Sequence, residues 1–512
     1  MLVKTYSSAV FGIDAYTITI EVNSAQGINF FLVGLPDNAV KESQQRIKAA
    51  LKNNNLKFPG KEITVNMAPA DLRKEGSLYD LPIAMGILAA SEQVNCAQFD
   101  QYLILGELSL DGEIMPMKGV LTIALKALEE GFKGLVLPHD NAEEAAMVGE
   151  LEIYGVKHLI EVVSFFNGKL KMEPLKIDLK ALFHQKLNNF NVDFKDVKGQ
   201  ENIKRAFEIA ASGGHNVILI GPPGAGKSML AKRLPTILPP MSMEESLETT
   251  KIHSVAGRMR KNEGLVTQRP FRKPHHTISD VALVGGGTYP QPGEMSLAHN
   301  GVLFLDELPE YKRQVLEVMR QPLEDRSITI SRAKFTVDYP SAVMLIAAMN
   351  PCPCGYHNHP DKECKCGSHL VQRYLNKVSG PLLDRIDLQV EVVPVNFDEL
   401  IEEKKQESSL DIRKRVLNAR ILQIKRFKNE ENVYCNAQMT SQNLQHYCQI
   451  DEQGTKLLRR AMDQFGLSAR AYDRILKVAR TIADLDQATA IDSRHLSEAI
   501  QYRSLDRENW AG

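Results

Sequence analysis

Two things are scarce in this chain of 512 residues: unbalanced charge and long apolar runs. Lysine and arginine total 62 against 63 aspartates and glutamates, a formal net charge of −1. No global field therefore draws the molecule to DNA or to an anionic membrane, and any nucleic-acid surface has to be a local patch. The longest aliphatic stretches, such as AVMLIAAM at 342–349, fall far short of the roughly 20 residues that span a bilayer. The first residues, MLVKTYSSAVFGIDAYTITIEV, alternate apolar and polar side chains and present no apolar signal core. Cysteine is sparse too. Of seven, four stand in one cluster, which is not the framework of a secreted disulfide protein. Low-complexity tracts and internal repeats are absent. A cytoplasmic chain with no membrane partner and about three domains is expected.

What is present falls into successive regions. Residues 1–166 alternate strand-like and helix-like segments: AYTITIEV, NAVKESQQRIKAALKNN, EITVNMA, LYDLPIAMGILAASEQV, YLILGEL, VLTIALKALEEG and KGLVLP. That rhythm predicts one compact α/β domain. It is lost over 167–190, which reads as a linker. A second α/β domain is expected over 191–397. Residues 398–512 are charged and helix-periodic with little strand signal, so they predict a helical C-terminal domain.

The strongest motif is NVILIGPPGAGKSMLAKRL at 216–234. An apolar strand runs into Gly221-Pro222-Pro223-Gly224-Ala225-Gly226-Lys227-Ser228 and then a helix, the context that a P-loop requires. Backbone N–H groups of such a loop close around phosphate oxygens at a helix N-terminus. Lys227 is expected on the β- and γ-phosphates of ATP and Ser228 on Mg²⁺. The strand GVLFLDELPEY (301–311) ends in Asp306, expected in the Mg²⁺ shell, and Glu307, expected to polarise the attacking water. A further strand, SAVMLIAAMN, delivers the Asn350 amide to the same edge, where a water or the γ-phosphate is bound. Arg385 in SGPLLDRIDLQVEV and Arg470 in GLSARAYDRILKVARTIADL are candidate phosphate-facing arginines. Taken alone, each is more simply a surface ion-pair partner.

In order and spacing these segments resemble the AAA+ ATPases, specifically the magnesium-chelatase-like clade that also holds the MCM helicases. The resemblance implies a central AAA+ P-loop domain with a C-terminal helical lid, assembled as a ring, usually a hexamer, with ATP at subunit interfaces. It implies Arg385 as the finger reaching a neighbour's ATP and Arg470 as the lid (sensor 2) arginine.

Residues 104–145, ILGELSLDGEIMPMKGVLTIALKALEEGFKGLVLPHDNAEEA, resemble the proteolytic domain of Lon, a ribosomal protein S5 domain 2-like fold. Lon requires a serine whose proton is taken by a lysine. Aligned on that motif, Leu121 stands at the lysine position and Asp80 at the serine position. Ser77 lies nearby, and Lys118 is three residues out of register. The expectation is a non-proteolytic Lon-like domain used for assembly or DNA contact. The pairing of this domain with a chelatase-like AAA+ module resembles the ComM/YifB family, known for a hexameric helicase that promotes branch migration of DNA during recombination of incoming strands.

DNA contact is expected at KIHSVAGRMRKNEGLVTQRPFRKPHH (251–276), which carries seven Lys/Arg and one acid. Arg269, Arg272, Lys273, His275 and His276 are the candidates there, with Phe271 as a base-stacking ring. Arg332 and Lys334, in an expected β-hairpin at 326–340, are further candidates. A solvated basic loop is the alternative. Finally, NPCPCGYHNHPDKECKCGSH (350–369) holds Cys352, Cys354, Cys364 and Cys366. Four thiolates suffice for a closed tetrahedral Zn²⁺ site of structural kind, in which His357, His359 or His369 can replace one ligand. Reduced thiols or a redox-sensitive pair are the alternatives. The function expected is an ATP-hydrolysing DNA motor. Its rivals are a chelatase motor subunit and an ATP-dependent protein-remodelling regulator.

Overall fold

A computed structural model describes residues 1–179, 183, 190–259, 264–287, 290–332, 335–357, 359, 362–394 and 406–503. The chain forms two compact units, and neither is continuous in sequence. One comprises residues 1–187, 243–267 and 331–339; the other comprises 188–242, 268–330 and 340–512.

The first unit is built on a seven-stranded mixed sheet of β1 (Leu2–Phe11), β2 (Asp14–Ala25), β3 (Phe30–Val33), β4 (Glu62–Ala68), β5 (Tyr102–Ile104), β6 (Gly134–Pro138) and β7 (Glu152–Val156). Their order is β3-β4-β2-β1-β5-β6-β7. Alternation fixes which face is buried: Ile18, Ile20 and Val22 of β2 point inward with Ile63, Val65 and Met67 of β4. The helix Asp80–Ala90 is buried on every side, as its continuously apolar sequence requires.

Leu121 is buried in a small apolar cluster with Met147 and Leu265. A lysine at this position would have to be desolvated, so the site favours leucine. Asp80 is likewise buried, accepting hydrogen bonds from Arg46 Nε (2.6 Å) and Nη2 (3.0 Å). Burial raises its carboxyl above the usual range, against the lowering pull of Arg46. The Ser77 hydroxyl donates to Glu107. Lys74, the nearest lysine in sequence, donates to the carbonyl oxygens of Leu72 (2.7 Å) and Pro69.

The helix Met243–Val255 also belongs to this first unit, although it follows the P-loop segment in sequence. It packs on the helix Val120–Glu129. The buried Glu144 joins the two, accepting from the Leu121 amide (3.0 Å) and from the Ser254 hydroxyl.

The second unit holds a five-stranded parallel sheet of β8 (Val217–Ile220), β9 (Phe271–Arg272), β10 (Val302–Leu305), β11 (Met344–Met349) and β12 (Leu388–Glu391), in the order β9-β10-β11-β8-β12. VILI, VLFL and MLIAAM are buried throughout, the uninterrupted apolar pattern of parallel strands covered on both faces. The C-terminal region is helical, including Ser409–Arg426, Glu452–Phe465, Ala469–Leu485 and Ser493–Gln501. Ser408, Asp451, Ser468 and Asp492 each accept a backbone N–H at the N-terminus of one of these helices. The strands Ser327–Arg332 and Phe335–Pro340 pair as a two-stranded sheet, the expected hairpin. Lys334 lies outside the described residues. Among the described residues, no helix is long and apolar enough to cross a membrane.

Candidate active site

The C-terminal ends of β8, β10 and β11 bring the predicted ATP-site residues together. Between β8 and the helix Lys227–Ala231 the loop turns through Gly224 (φ +81°) and Gly226 (φ +82°), conformations that a side chain would strain. The Lys227 ammonium is buried and donates to the carbonyl oxygens of Gly221 (2.6 Å) and Pro222 (2.9 Å) and to Asn350 Oδ1 (3.1 Å). All three acceptors are neutral. Burial lowers the Lys227 pKa against the raising influence of Asp306 and Glu307. The Ser228 hydroxyl donates to Asp306 Oδ2 at 2.6 Å, so a hydroxyl and a carboxylate stand side by side, a donor pair that suits Mg²⁺. Burial raises the Asp306 carboxyl, but hydrogen bonds from Lys273 and Ser228 outweigh it and hold the group below its ordinary value. Glu307 occupies the left-handed region (φ +53°), which turns its carboxylate out of the strand direction.

The basic segment near 270 is placed differently from the expectation. Lys273 donates to Asp306 Oδ2 (2.8 Å) and lies over the Phe304 ring. His276 Nδ1 is 3.3 Å from Glu307 Oε2. Both side chains therefore stand with Ser228, Asp306 and Glu307 at this edge of the sheet, held by their contacts with the two carboxylates. Arg272 donates twice to Glu294 (2.6 and 2.7 Å), and Arg269 donates to the carbonyl oxygens of Pro239, Pro240 and Asn300. Phe271 is half-buried and stacks on Phe304. These three residues hold the sheet edge, because each finds a partner there when β9 pairs with β10. His275 faces Thr277. Arg332 ends a hairpin strand.

Arg385 is buried, donating to the carbonyl oxygens of Arg320 (3.0 Å) and Pro381 (2.6 Å) and pairing with Glu324 (2.7 Å). The Arg470 side chain is 65% exposed and lies 3.9 Å from the Asp384 carboxylate. Sequence reasoning missed the residues that tie this helix to the sheet. Asp387 is buried and accepts from Arg474 (2.7 Å) and the Asn216 amide (3.1 Å), beside His215. Burial raises the Asp387 carboxyl, but Arg474 and His215 prevail and hold it far below the usual range. The signal was available: Arg474 lies one helical turn beyond Arg470, and Asp387 immediately precedes β12, two residues after Arg385. Lys118 was also missed. It is exposed, with its side chain against Gly257, beside the exposed Arg258 of the basic segment. Arg260 and Lys261 of that segment lie outside the described residues.

The loop that follows Asn350 gathers the four clustered cysteines. Their sulfurs lie within 4.8 Å of one another, the only such group among the described residues. Cys352 is 3.3 Å from Cys354 and 3.7 Å from Cys364, and Cys354 is 3.6 Å from Cys364. No disulfide joins them. His357 and His359 instead line a small cavity with Gly221, Pro222 and Val392.

Three family profiles match the chain: magnesium chelatase subunit ChlI over residues 193–441, subunit ChlI of Mg-chelatase over 20–141, and the ChlI C-terminal region over 406–503. An uncharacterized protein YifB of Salmonella typhimurium is 43% identical over 99% of this chain and 98% of its own length. The competence protein ComM of Haemophilus influenzae is 43% identical over the same shares. YifB of Escherichia coli is 42% identical over 98% of this chain and 97% of its own.

Proposed function

We propose, from the premise that the chain belongs to the ComM/YifB family of magnesium-chelatase-like AAA ATPases, that it is an ATP-driven motor acting on single-stranded or branched DNA. The observation that carries the catalytic part is Lys227, a buried ammonium held only by neutral oxygens beside the Ser228–Asp306 pair. Its hydrogen-bond partners carry no charge, while Asp306 and Glu307 act on it only through space, and the ammonium suits the β- and γ-phosphates of ATP. Ser228 and Asp306 would hold Mg²⁺, which would supply positive charge against the phosphates. Glu307 orients the attacking water, and His276, at its carboxylate, fixes that orientation. Asn350, on the same edge as Lys227, holds the γ-phosphate side of the site.

The protein works as a homo-oligomeric ring, a hexamer, with ATP between subunits. Arg385 reaches a neighbour's ATP by exchanging the Glu324 carboxylate for phosphate, and Arg470, exposed at the start of the lid helix, closes over the nucleotide. The working domains are the N-terminal α/β domain of 1–166, the ATPase domain of 191–397 and the helical lid of 398–512. DNA is met by the basic surface of Lys118 and Arg258, with the 327–340 hairpin as a second contact. Branch migration during recombination or natural transformation is the task, a reading supported by the competence protein among the relatives.

The test is ATP hydrolysis with and without single-stranded and forked DNA at two salt concentrations. Stimulation should fall with salt. Lys118→Ala with Arg258→Ala should lower the slope of log affinity against log salt by about one for each phosphate that is no longer neutralised. Hydrolysis indifferent to every DNA would sink the motor reading and turn the assignment to a chelatase or protein-remodelling motor.

A further inference from the structure

The four-cysteine loop is joined at its N-terminal end to the ATP site of the same unit and lies against it through the turn at Gly355. Cys352 is fully buried and stands two residues after Asn350, whose side chain accepts from Lys227. Within the loop, the Gly355 amide donates to the Cys352 carbonyl (3.0 Å), closing a tight turn at φ +84°. That turn lies against the P-loop: a Cβ on residue 355 would stand 2.4 Å from Pro223 Cδ. Glycine is therefore required both for the left-handed backbone and for the close approach. The loop's His357 and His359 meet Gly221 and Pro222 around one cavity.

A tetrahedral shell with Zn–S bonds of about 2.3 Å has sulfur–sulfur edges of about 3.8 Å. The separations of 3.3, 3.7 and 3.6 Å among Cys352, Cys354 and Cys364 are near that value and well beyond disulfide length, and the Cys366 sulfur lies within 4.8 Å of the other three. Thiolates are soft ligands that select zinc over harder cations, and four of them leave no open position for substrate. We propose that Cys352, Cys354, Cys364 and Cys366 bind one Zn²⁺ and that this site is energetically coupled to ATP binding, because the turn it fixes holds Gly355 against Pro223 and anchors Asn350 beside Lys227. The coupling rests on the ATP-site reading above; the metal site does not. Linkage then demands reciprocity: whatever factor zinc adds to ATP affinity, ATP must add to zinc affinity.

The experiment uses the full chain purified without chelator. Metal analysis should return one zinc per chain, and a protein without stoichiometric zinc overturns the site. Equilibrium competition against a chromogenic zinc chelator, with and without a non-hydrolysable ATP analogue, should show zinc held about tenfold more tightly when nucleotide is bound. Equal zinc affinity in both conditions overturns the coupling. This measurement is made on intact protein, so it does not depend on the folding of a variant. Cys364→Ser should lose the metal and weaken binding of a fluorescent ATP analogue by the same factor. A soluble variant that lost zinc but kept full ATP affinity would again defeat the coupling. Lys227→Ala separates the two readings: if it binds ATP as well as wild type, the ATP-site assignment fails while the zinc content still stands.

Discussion

Both units of this molecule contain a serine hydroxyl, a carboxylate and a cationic side chain close together, half-buried in one unit (Arg46) and buried in the other (Lys227), and they use them in opposite ways. In the N-terminal unit the Arg46 guanidinium and the buried Asp80 carboxylate neutralise each other through two hydrogen bonds, and Ser77 donates to Glu107. In the ATPase unit Lys227 is held by two backbone carbonyls and an amide oxygen, none of which carries charge. A charge cancelled within the fold stabilises the fold. A charge held by neutral acceptors keeps its attraction for an anion that arrives from outside. The carboxylates differ in the same sense: burial prevails at Asp80, while Lys273 and Ser228 prevail at Asp306 and keep it ready for a cation.

The sharpest way to break this contrast is to remove the groups one at a time. Glu307→Gln should retain ATP binding and lose turnover by about 10²–10⁴-fold, as expected for loss of a general base. Lys227→Ala should lose binding as well, by roughly 10–100-fold, the value of hydrogen bonds to a charged group. Equilibrium nucleotide binding and steady-state hydrolysis distinguish the two, and tight ATP binding by Lys227→Ala would remove the premise. In the other unit, Asp80→Ala removes the buried partner of Arg46, leaving it Glu42 (3.7 Å) and the Ala39 carbonyl, and should destabilise by about 1–3 kcal/mol. Hydrogen exchange should then accelerate in the helix Asp80–Ala90 and in β1 and β2 while the parallel sheet of the second unit keeps its protection. Unchanged exchange in the first unit would show that the pair is dispensable there.

A smaller effect separates the units by pH. Burial raises Glu144, outweighing its bonds from Ser254 and Leu121, so its stability contribution is complete below about pH 4.5 and is lost as pH rises through the folded value. Asp387 is lowered: its contribution is present above about pH 3.8 and is lost as pH falls through the folded value. Moving from neutral pH toward 5 should therefore slow exchange around Ser254 without loosening the Asp387–Arg474 pair, and stronger acid should loosen that pair. Glu144→Gln should abolish the first response. If acidification frees both segments together, Glu144 is not held as burial dictates.

The meeting of Lys227, Ser228, Asp306 and Asn350 was legible because a glycine-rich loop between strand and helix and its two partner strands are local patterns. Each consists of a short apolar run that ends on a fixed polar residue, and a buried parallel strand leaves little choice about where that residue emerges. The surroundings of Lys273 and His276 were not legible, for the opposite reason. In sequence they are a lysine and a histidine in a basic run, and only the pairing of β9 with β10 brings them to Asp306 and Glu307. The same holds for Arg272, whose partner Glu294 lies 22 residues further along the chain and meets it only through the fold.

By itself, then, the sequence determined the chemistry available: a glycine-rich loop between a strand and a helix, two carboxylates at a strand end, a leucine at 121, and four thiols on one loop. These follow from residue type and from spacings of a few positions, where backbone geometry alone decides proximity. Tertiary structure decided which of the basic residues are neutralised and which are left to act. It also decided that the helix Met243–Val255 belongs with the N-terminal sheet through Glu144 and Ser254, and that Gly355 seats the thiol loop on Pro223. Those outcomes depend on hydrogen-bonding and charged partners from 22 to 123 residues apart in sequence, and such pairings are fixed only when the sheets and their connections close.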